Sequence, residues 1–301
     1  MVRIRRLALL PILVWLAYSS DGENLVCHSL RRVPADSLFA QSAGQAFMRE
    51  FGPCGRSGAA ADGHCLERKD LSFLLLDADT GAILASRWED PEKPIPLGSL
   101  IKPFTALAYG EHHEYQYPDY TCRGTSTGCW LPRGHGRIDL PVAIANSCNS
   151  YFQMLTADMT AEDVLPVANR FGLEPPRPGS SAADLRGLGT GWLISPLHMA
   201  NAYLELTHRP TEPGIRQVLL GMAESARRGT GAEVDRALKH TRALAKTGTA
   251  PCTHRTAPGD GFVIAMMPAD RPQILLMVRL HGAPGAQAAK MAGQMLQSIE
   301  Q

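Results

Sequence analysis

Arg242-Ala243-Leu244-Ala245-Lys246-Thr247-Gly248-Thr249 is followed by two further apolar runs, GFVIAMM at residues 261–267 and QILLMVRLH at residues 273–281. Each run has the length of a strand, and turn residues separate them. Residues 286–299 then carry an amphipathic helical pattern. Three strands need neighbours, and the same kind of sequence recurs near the other end of the chain. Residues 72–77 are apolar, Asp79-Thr80-Gly81 is turn chemistry, and residues 82–88 form a second run, which together predict a β-hairpin. Between these ends the sequence favours helix at 99–110, from an Asp139 N-cap through 145, and at 151–156, 161–171, 196–207 and 215–227. Gly172 is placed to stop the fourth of these helices. Residues 115–137 and 175–191 predict loop. Two strands, a block of helices, three strands and a last helix imply an α+β fold. Its five-stranded antiparallel sheet is built from both ends of the chain, with an all-helical insert and helices covering the sheet.

The chain has 301 residues, 45% of them hydrophobic, enough for one substantial core. A formal net charge of +1 speaks against nucleic acid or an anionic membrane surface as partner. Arg3, Arg5 and Arg6 precede an apolar run at 7–18, and Ala17 and Ser19 fit positions −3 and −1 of a cleavage site. That run contains Pro11 and is shorter than the roughly 20 residues of a membrane span, which favours a cleaved export signal over a retained anchor. Residues 1–19 are therefore expected to be a signal peptide or anchor, 20–69 a short N-terminal segment with a helix at 40–51, and 70–301 the main domain. Export implies a periplasmic, extracytoplasmic protein that meets a membrane only through such an anchor.

Seven cysteines suit an exported chain. Cys54 with Cys65, and Cys122 with Cys129, each bracket a short loop and are expected to form local disulfides, leaving Cys27, Cys148 and Cys252. No Cys-x-x-Cys pair occurs, and His112-His113-Glu114 lacks the i, i+4 spacing of a helical zinc pair, so neither a metal nor another cofactor is expected.

Three short motifs carry the chemistry. Ser99-Leu100-Ile101-Lys102 follows the Pro91, Pro94 and Pro96 segment and opens a helix, where orphan N–H groups favour developing negative charge on Ser99. Lys102 lies one turn further on the same face, and burial would lower its pKa enough to accept the Ser99 proton. Ser147-Cys148-Asn149 falls between two helices, where a hydroxyl can relay a proton and a carboxamide can hold a substrate amide. Lys246-Thr247-Gly248-Thr249 ends a strand. Lys246 and Thr247 can bind a carboxylate there, Gly248 allows close approach, and the N–H of Thr249 can join that of Ser99 in an oxyanion hole. Taken singly, each motif has a structural explanation as cap, turn or strand end. The chain has only six lysines, yet two of them fall in these motifs, which occur once each and in this order. That combination outweighs the structural explanations.

The chain resembles the transpeptidase domain of penicillin-binding proteins, particularly the monofunctional class B type. Besides the three motifs, the stretches 77–85 and 98–104, Cys129-Trp130 with Gly134-His135-Gly136, Asp139-Leu140 leading to 147–152, Ser195-Pro196-Leu197 and Gly229-Thr230-Gly231 are similar to that family. The likeness spans roughly residues 70 to 300. It implies a serine acyltransferase acting on peptidoglycan D-Ala-D-Ala stem peptides and acylated by β-lactam antibiotics. Ser99 would be the nucleophile and Lys102 its base, Ser147 and Asn149 the second catalytic element, and Lys246 with Thr247 the carboxylate site. Cys148 is read as a small buried residue and His135 as loop packing. Residues 20–69 stand where class B members usually carry a large pedestal domain.

Two other functions share these motifs. A serine β-lactamase would need a dedicated deacylating group, for which Glu162 is the nearest candidate. A β-lactam sensor or scaffold would keep the pocket without turnover and use the N-terminal apolar run to signal across a membrane.

Overall fold

The computed structural model describes residues 35–52, 70–251 and 259–300. The export signal, the Cys54–Cys65 loop, Cys27 and Cys252 lie outside them. In chain order the helices are α1 (Ala35–Phe51), α2 (Lys102–His112), α3 (Leu140–Ala145), α4 (Asn149–Leu155), α5 (Ala161–Arg170), α6 (Ala182–Leu185), α7 (Pro196–His208), α8 (Ile215–Arg228), α9 (Ala232–Ala237) and α10 (Gly285–Gln297). The strands are β1 (Leu71–Asp77), β2 (Ile83–Arg87), β3 (Tyr120–Cys122), β4 (Gly136–Ile138), β5 (Leu244–Ala250), β6 (Asp260–Met267) and β7 (Ile274–His281).

Five strands form one antiparallel sheet in the order β2-β1-β7-β6-β5, so the α+β expectation and the joining of the two chain ends are both met. The closure is the β1–β7 ladder, in register from Leu71 opposite Leu280 to Asp77 opposite Ile274. β6 and β7 are apolar along nearly their whole length because both faces of the sheet are covered. Alternate side chains divide between two cores. Phe73, Leu75, Val263 and Leu276 pack with α1 and α10 through Phe47, Ala288, Ala292 and Met295. Leu74, Leu76, Ile264 and Met277 face the helical insert through Phe104, Tyr203, Val218 and Met222. At about 25 cal/mol per Å² of apolar surface, each large side chain fully buried here contributes roughly 1.5–3 kcal/mol.

Local signals account for most boundaries. Asp139 caps α3 by accepting from Val142 N at 3.0 Å. Gly172 takes a left-handed φ of 64° just past α5. Three features depart from expectation. The 115–137 segment carries β3 and the start of β4, which pair as a hairpin with Cys122 opposite Gly136. α6 lies within the 175–191 segment, and α9 follows Gly231. All are too short to show a hydrophobic period.

Candidate active site

The three motifs converge because two glycines let backbone meet backbone. Gly98 sits at φ 58°, and a Cβ there would lie 2.3 Å from the carbonyl oxygen of Thr249. Gly248 answers from the other side, where a Cβ would come within 2.5 Å of Leu97 O. β5 is an outer strand of the sheet, so its free edge is available to the Ser99 turn. The approach to that turn is held extended by Ile95, which exchanges backbone hydrogen bonds of 3.1 Å with Ile194 in both directions.

Residues Gly98–Ile101 form a single 3-10 turn that runs into α2 at Lys102. In 3-10 geometry positions i and i+3 eclipse, which stacks Lys102 directly under Ser99. Ser99 is almost buried at 8% exposure and lines the cleft; Lys102 is fully buried beneath it. The Lys102 ammonium nitrogen donates to Asn149 Oδ1 at 2.6 Å and to Ser147 O at 2.8 Å, and reaches Ser147 Oγ at 3.4 Å. It also stands 5.3 Å from the centre of the Phe152 ring. Burial lowers its pKa to about 7, against an upward pull from Cys148 and Cys129 and a downward push from Arg186.

Ser147 occupies the turn between α3 and α4 at φ 50°, a left-handed conformation that a non-glycine residue adopts at a cost of about 1–2 kcal/mol. The turn is clamped by Ser147 N donating to Ile144 O at 3.1 Å and Cys148 N to Ala143 O at 2.9 Å. Lys246 Nζ donates to Ser147 Oγ at 3.0 Å and to Thr247 O at 2.8 Å. The Ser147 hydroxyl is therefore held between two buried lysines. Burial, then the neighbouring Lys102 charge, holds the Lys246 pKa well below the usual lysine range.

All eight sequence-predicted residues meet at one cleft of about 480 Å³. Ser99, Ser147, Asn149, Thr247, Gly248 and Thr249 line it, while Lys102 and Lys246 form its buried floor. Sequence reasoning gave no role to Thr230. Its hydroxyl accepts from Thr247 Oγ1 at 2.6 Å and is braced on Ala145 O through its own backbone N–H at 3.1 Å. The available signal was its place between two glycines, each packed too closely for a Cβ. Trp130 and Leu188 also went unassigned. They are half exposed on the cleft walls, and Trp130 Nε1 donates to Asn146 O at 3.0 Å. Glu162 is exposed in the first turn of α5 and is not among the residues lining the cleft.

Behind the Ser147 turn the cysteine expectations fail. Cys122 and Cys129 are free buried thiols, not a disulfide. They lie beside Cys148 and His135, with the four ligand atoms within 4.8 Å of one another. A group of metal-binding character therefore exists without a Cys-x-x-Cys motif, because a hairpin and a distant turn assemble it. His135 packs in this loop against Cys122 and Cys129, with its ring centre 5.6 Å from that of Trp130.

The sequence matches a known family. Residues 71–300 match the family described as the penicillin binding protein transpeptidase domain, and the chain belongs to it. Solved structures sharing the fold include PBP2 of Pseudomonas aeruginosa in complex with WCK 5153. It is 16% identical, with a TM-score of 0.64 over 87% of this chain and 73% of that one. The D,D-transpeptidase domain of a peptidoglycan glycosyltransferase from Eggerthella lenta is 17% identical, with a TM-score of 0.61 over 86% and 80%. The transpeptidase domain of penicillin-binding protein 3 from Burkholderia pseudomallei is 16% identical, with a TM-score of 0.60 over 87% and 92%. No curated protein matches the chain.

Proposed function

We propose that this chain is a serine acyltransferase of the penicillin-binding type, acting on peptidoglycan D-Ala-D-Ala stem peptides through an acyl-enzyme on Ser99. The observation that carries the reading is Ser147 Oγ held 3.4 Å from Lys102 Nζ and 3.0 Å from Lys246 Nζ at the floor of the cleft that Ser99 lines. Lys102, with its pKa near 7, takes the proton as Ser99 Oγ attacks the carbonyl carbon of the D-Ala-D-Ala amide. Negative charge on that oxygen is met by the backbone N–H groups of Ser99 and Thr249. As the C–N bond breaks, the proton returns to the leaving amine by way of the Ser147 hydroxyl. Asn149 aligns the substrate amide, and Lys246 with the Thr247 hydroxyl binds the terminal carboxylate. An amine acceptor then gives crosslinking and water gives carboxypeptidase action.

The same carbonyl chemistry makes a β-lactam a covalent inhibitor. The reading includes export, supported by the basic and then apolar N-terminus, so the enzyme works in the periplasm; sequencing the mature N-terminus checks this. Intact-mass spectrometry with benzylpenicillin tests the whole proposal. A stable adduct on the wild-type chain and none on Ser99→Ala supports it, whereas an adduct on both refutes the assignment of Ser99. An adduct that vanishes as drug is consumed indicates a β-lactamase. Product analysis with a stem-peptide donor and an amine acceptor then separates crosslinking from D-Ala release.

A further inference from the structure

We infer that the Tyr203 hydroxyl is a positioning group for the acylation proposed above, and that it acts through the carbonyl of Leu100 to hold Ser99 over Lys102. The inference rests on that proposed function. Leu100 and Ile101 separate Ser99 from Lys102, so the peptide between them sits at the middle of the turn. In a 3-10 turn the carbonyl of residue i accepts from the N–H of residue i+3. Leu97 O accepts in this way from Leu100 N at 3.4 Å, and Ser99 O from the backbone N–H of Lys102. Leu100 O would accept from residue 103, but that residue is Pro103, which has no N–H. The Tyr203 hydroxyl donates to this carbonyl instead, at 2.7 Å.

Burial gives this bond its weight. Leu100 and Tyr203 are both fully buried, and a buried carbonyl without a donor, or a buried hydroxyl without an acceptor, is costly. The ring itself is placed without help from its hydroxyl. Tyr203 lies in α7 with its ring edge-on to that of Phe104, centroids 5.5 Å apart, and Phe104 in turn stands edge-on to Phe171 at 5.4 Å. The start of α7 is also tied to the segment that approaches the Ser99 turn. Leu197 N donates to Pro91 O at 3.0 Å, just past the exchange between Ile95 and Ile194. The hydroxyl therefore reaches the turn from a platform already fixed to the chain leading into it.

Other contacts hold the two ends of the turn. Gly98 packs against Thr249 at its entrance, and at its exit the Thr105 hydroxyl reaches Ile101 O at 3.3 Å. Tyr203 holds the peptide between them. Without its hydroxyl that peptide is free to rotate, and the stacking of Ser99 over Lys102 loosens. The cleft walls built from β5, the Ser147 turn and α9 are untouched. The loss therefore falls on the acylation step and not on capture of the ligand, since a reacting group displaced by about 1 Å can cost about 100-fold in rate.

Acylation of the full chain by benzylpenicillin, followed by intact mass across drug concentrations, separates capture from chemistry. Tyr203→Phe keeps the ring and should lower the limiting acylation rate by about 10–100-fold while the half-saturating concentration stays unchanged. Pro103→Ala supplies an N–H where Leu100 O lacks one. The Tyr203→Phe/Pro103→Ala double variant should therefore regain most of the lost rate, and Pro103→Ala alone should keep the wild-type rate. A merely structural hydroxyl gives a different pattern: a lower midpoint of urea unfolding, an unchanged limiting rate in the folded fraction and nothing to rescue. An unchanged rate in Tyr203→Phe overturns the role, as does a slowed rate that Pro103→Ala fails to restore. Should Tyr203→Phe not fold, the double variant decides. A folded double variant that acylates at close to the wild-type rate supports the inference, and a slow or unfolded one overturns it. A wild-type chain inert to benzylpenicillin overturns the proposed function and this role with it. A wild-type chain that labels no faster than Tyr203→Phe overturns this role alone.

Discussion

The turn at residues 147–149 separates two buried regions that solve the same problem in opposite ways. On one side Ser147 and Asn149 meet Lys102 and Lys246, and every lysine nitrogen has oxygen partners between 2.6 and 3.4 Å. On the other side Cys148 meets Cys122, Cys129 and His135, where the contacts are long sulfur contacts to one another and to the Ser150 hydroxyl, and His135 Nε2 has no partner. Buried polar groups are normally satisfied. The lysine side is complete as a protein structure. The sulfur side leaves His135 Nε2 unsatisfied.

The largest effect that would break this contrast is on the lysine side. Ser99→Ala should abolish covalent labelling by benzylpenicillin in intact-mass experiments while leaving the reactivity of the three buried thiols unchanged. Labelling that persists would place the chemistry elsewhere. Lys102→Ala should slow acylation by several orders of magnitude, as expected for a member of one catalytic unit, measured as the rate of adduct formation.

Gly98→Ala comes next. A Cβ 2.3 Å from Thr249 O at a left-handed φ should destabilise the fold by about 3 kcal/mol or open the cleft, read by denaturant unfolding alongside acylation. The pH dependence sharpens the comparison further. Lys102 must be neutral to act as a base, and its pKa is lowered to about 7. The acylation rate should therefore rise about tenfold per pH unit below 7 and level off above it; a flat profile from pH 5 to 9 would exclude this lysine as the base. The smallest effect is on the sulfur side. Ser150→Ala should cost about 1 kcal/mol in urea unfolding, the net value of its hydrogen bond to Thr127.

The two regions also differ in how far the sequence disclosed them. The sheet was legible to within a residue or two at most strand ends, because runs such as ILLMVRLH, buried on both faces, are hard to read as anything else. The proposed catalytic constellation was legible because its residues are packed into contiguous motifs. Ser99 and Lys102 face one way through local helical geometry alone. The sulfur cluster has no such signature. Cys122, Cys129 and His135 belong to a hairpin whose strands are three residues each, and Cys148 arrives from a separate turn. Spacing along the chain therefore suggested a disulfide where the fold holds free thiols. Thr230 was hidden for the same reason, since its partner Thr247 lies on another element.

The pairing of Leu71 with Leu280 has a consequence for the history of each molecule. Nearly the whole domain must be synthesised before its first strand can find its central neighbour, so the fold has high contact order and a slow search is expected. The Ser99 turn leans on β5, and β5 reaches β1 only through β6 and β7. A chain that has emerged only as far as α8 therefore carries Ser99, the proposed nucleophile, but no cleft. Reactivity arrives late, when the two ends of the domain have met.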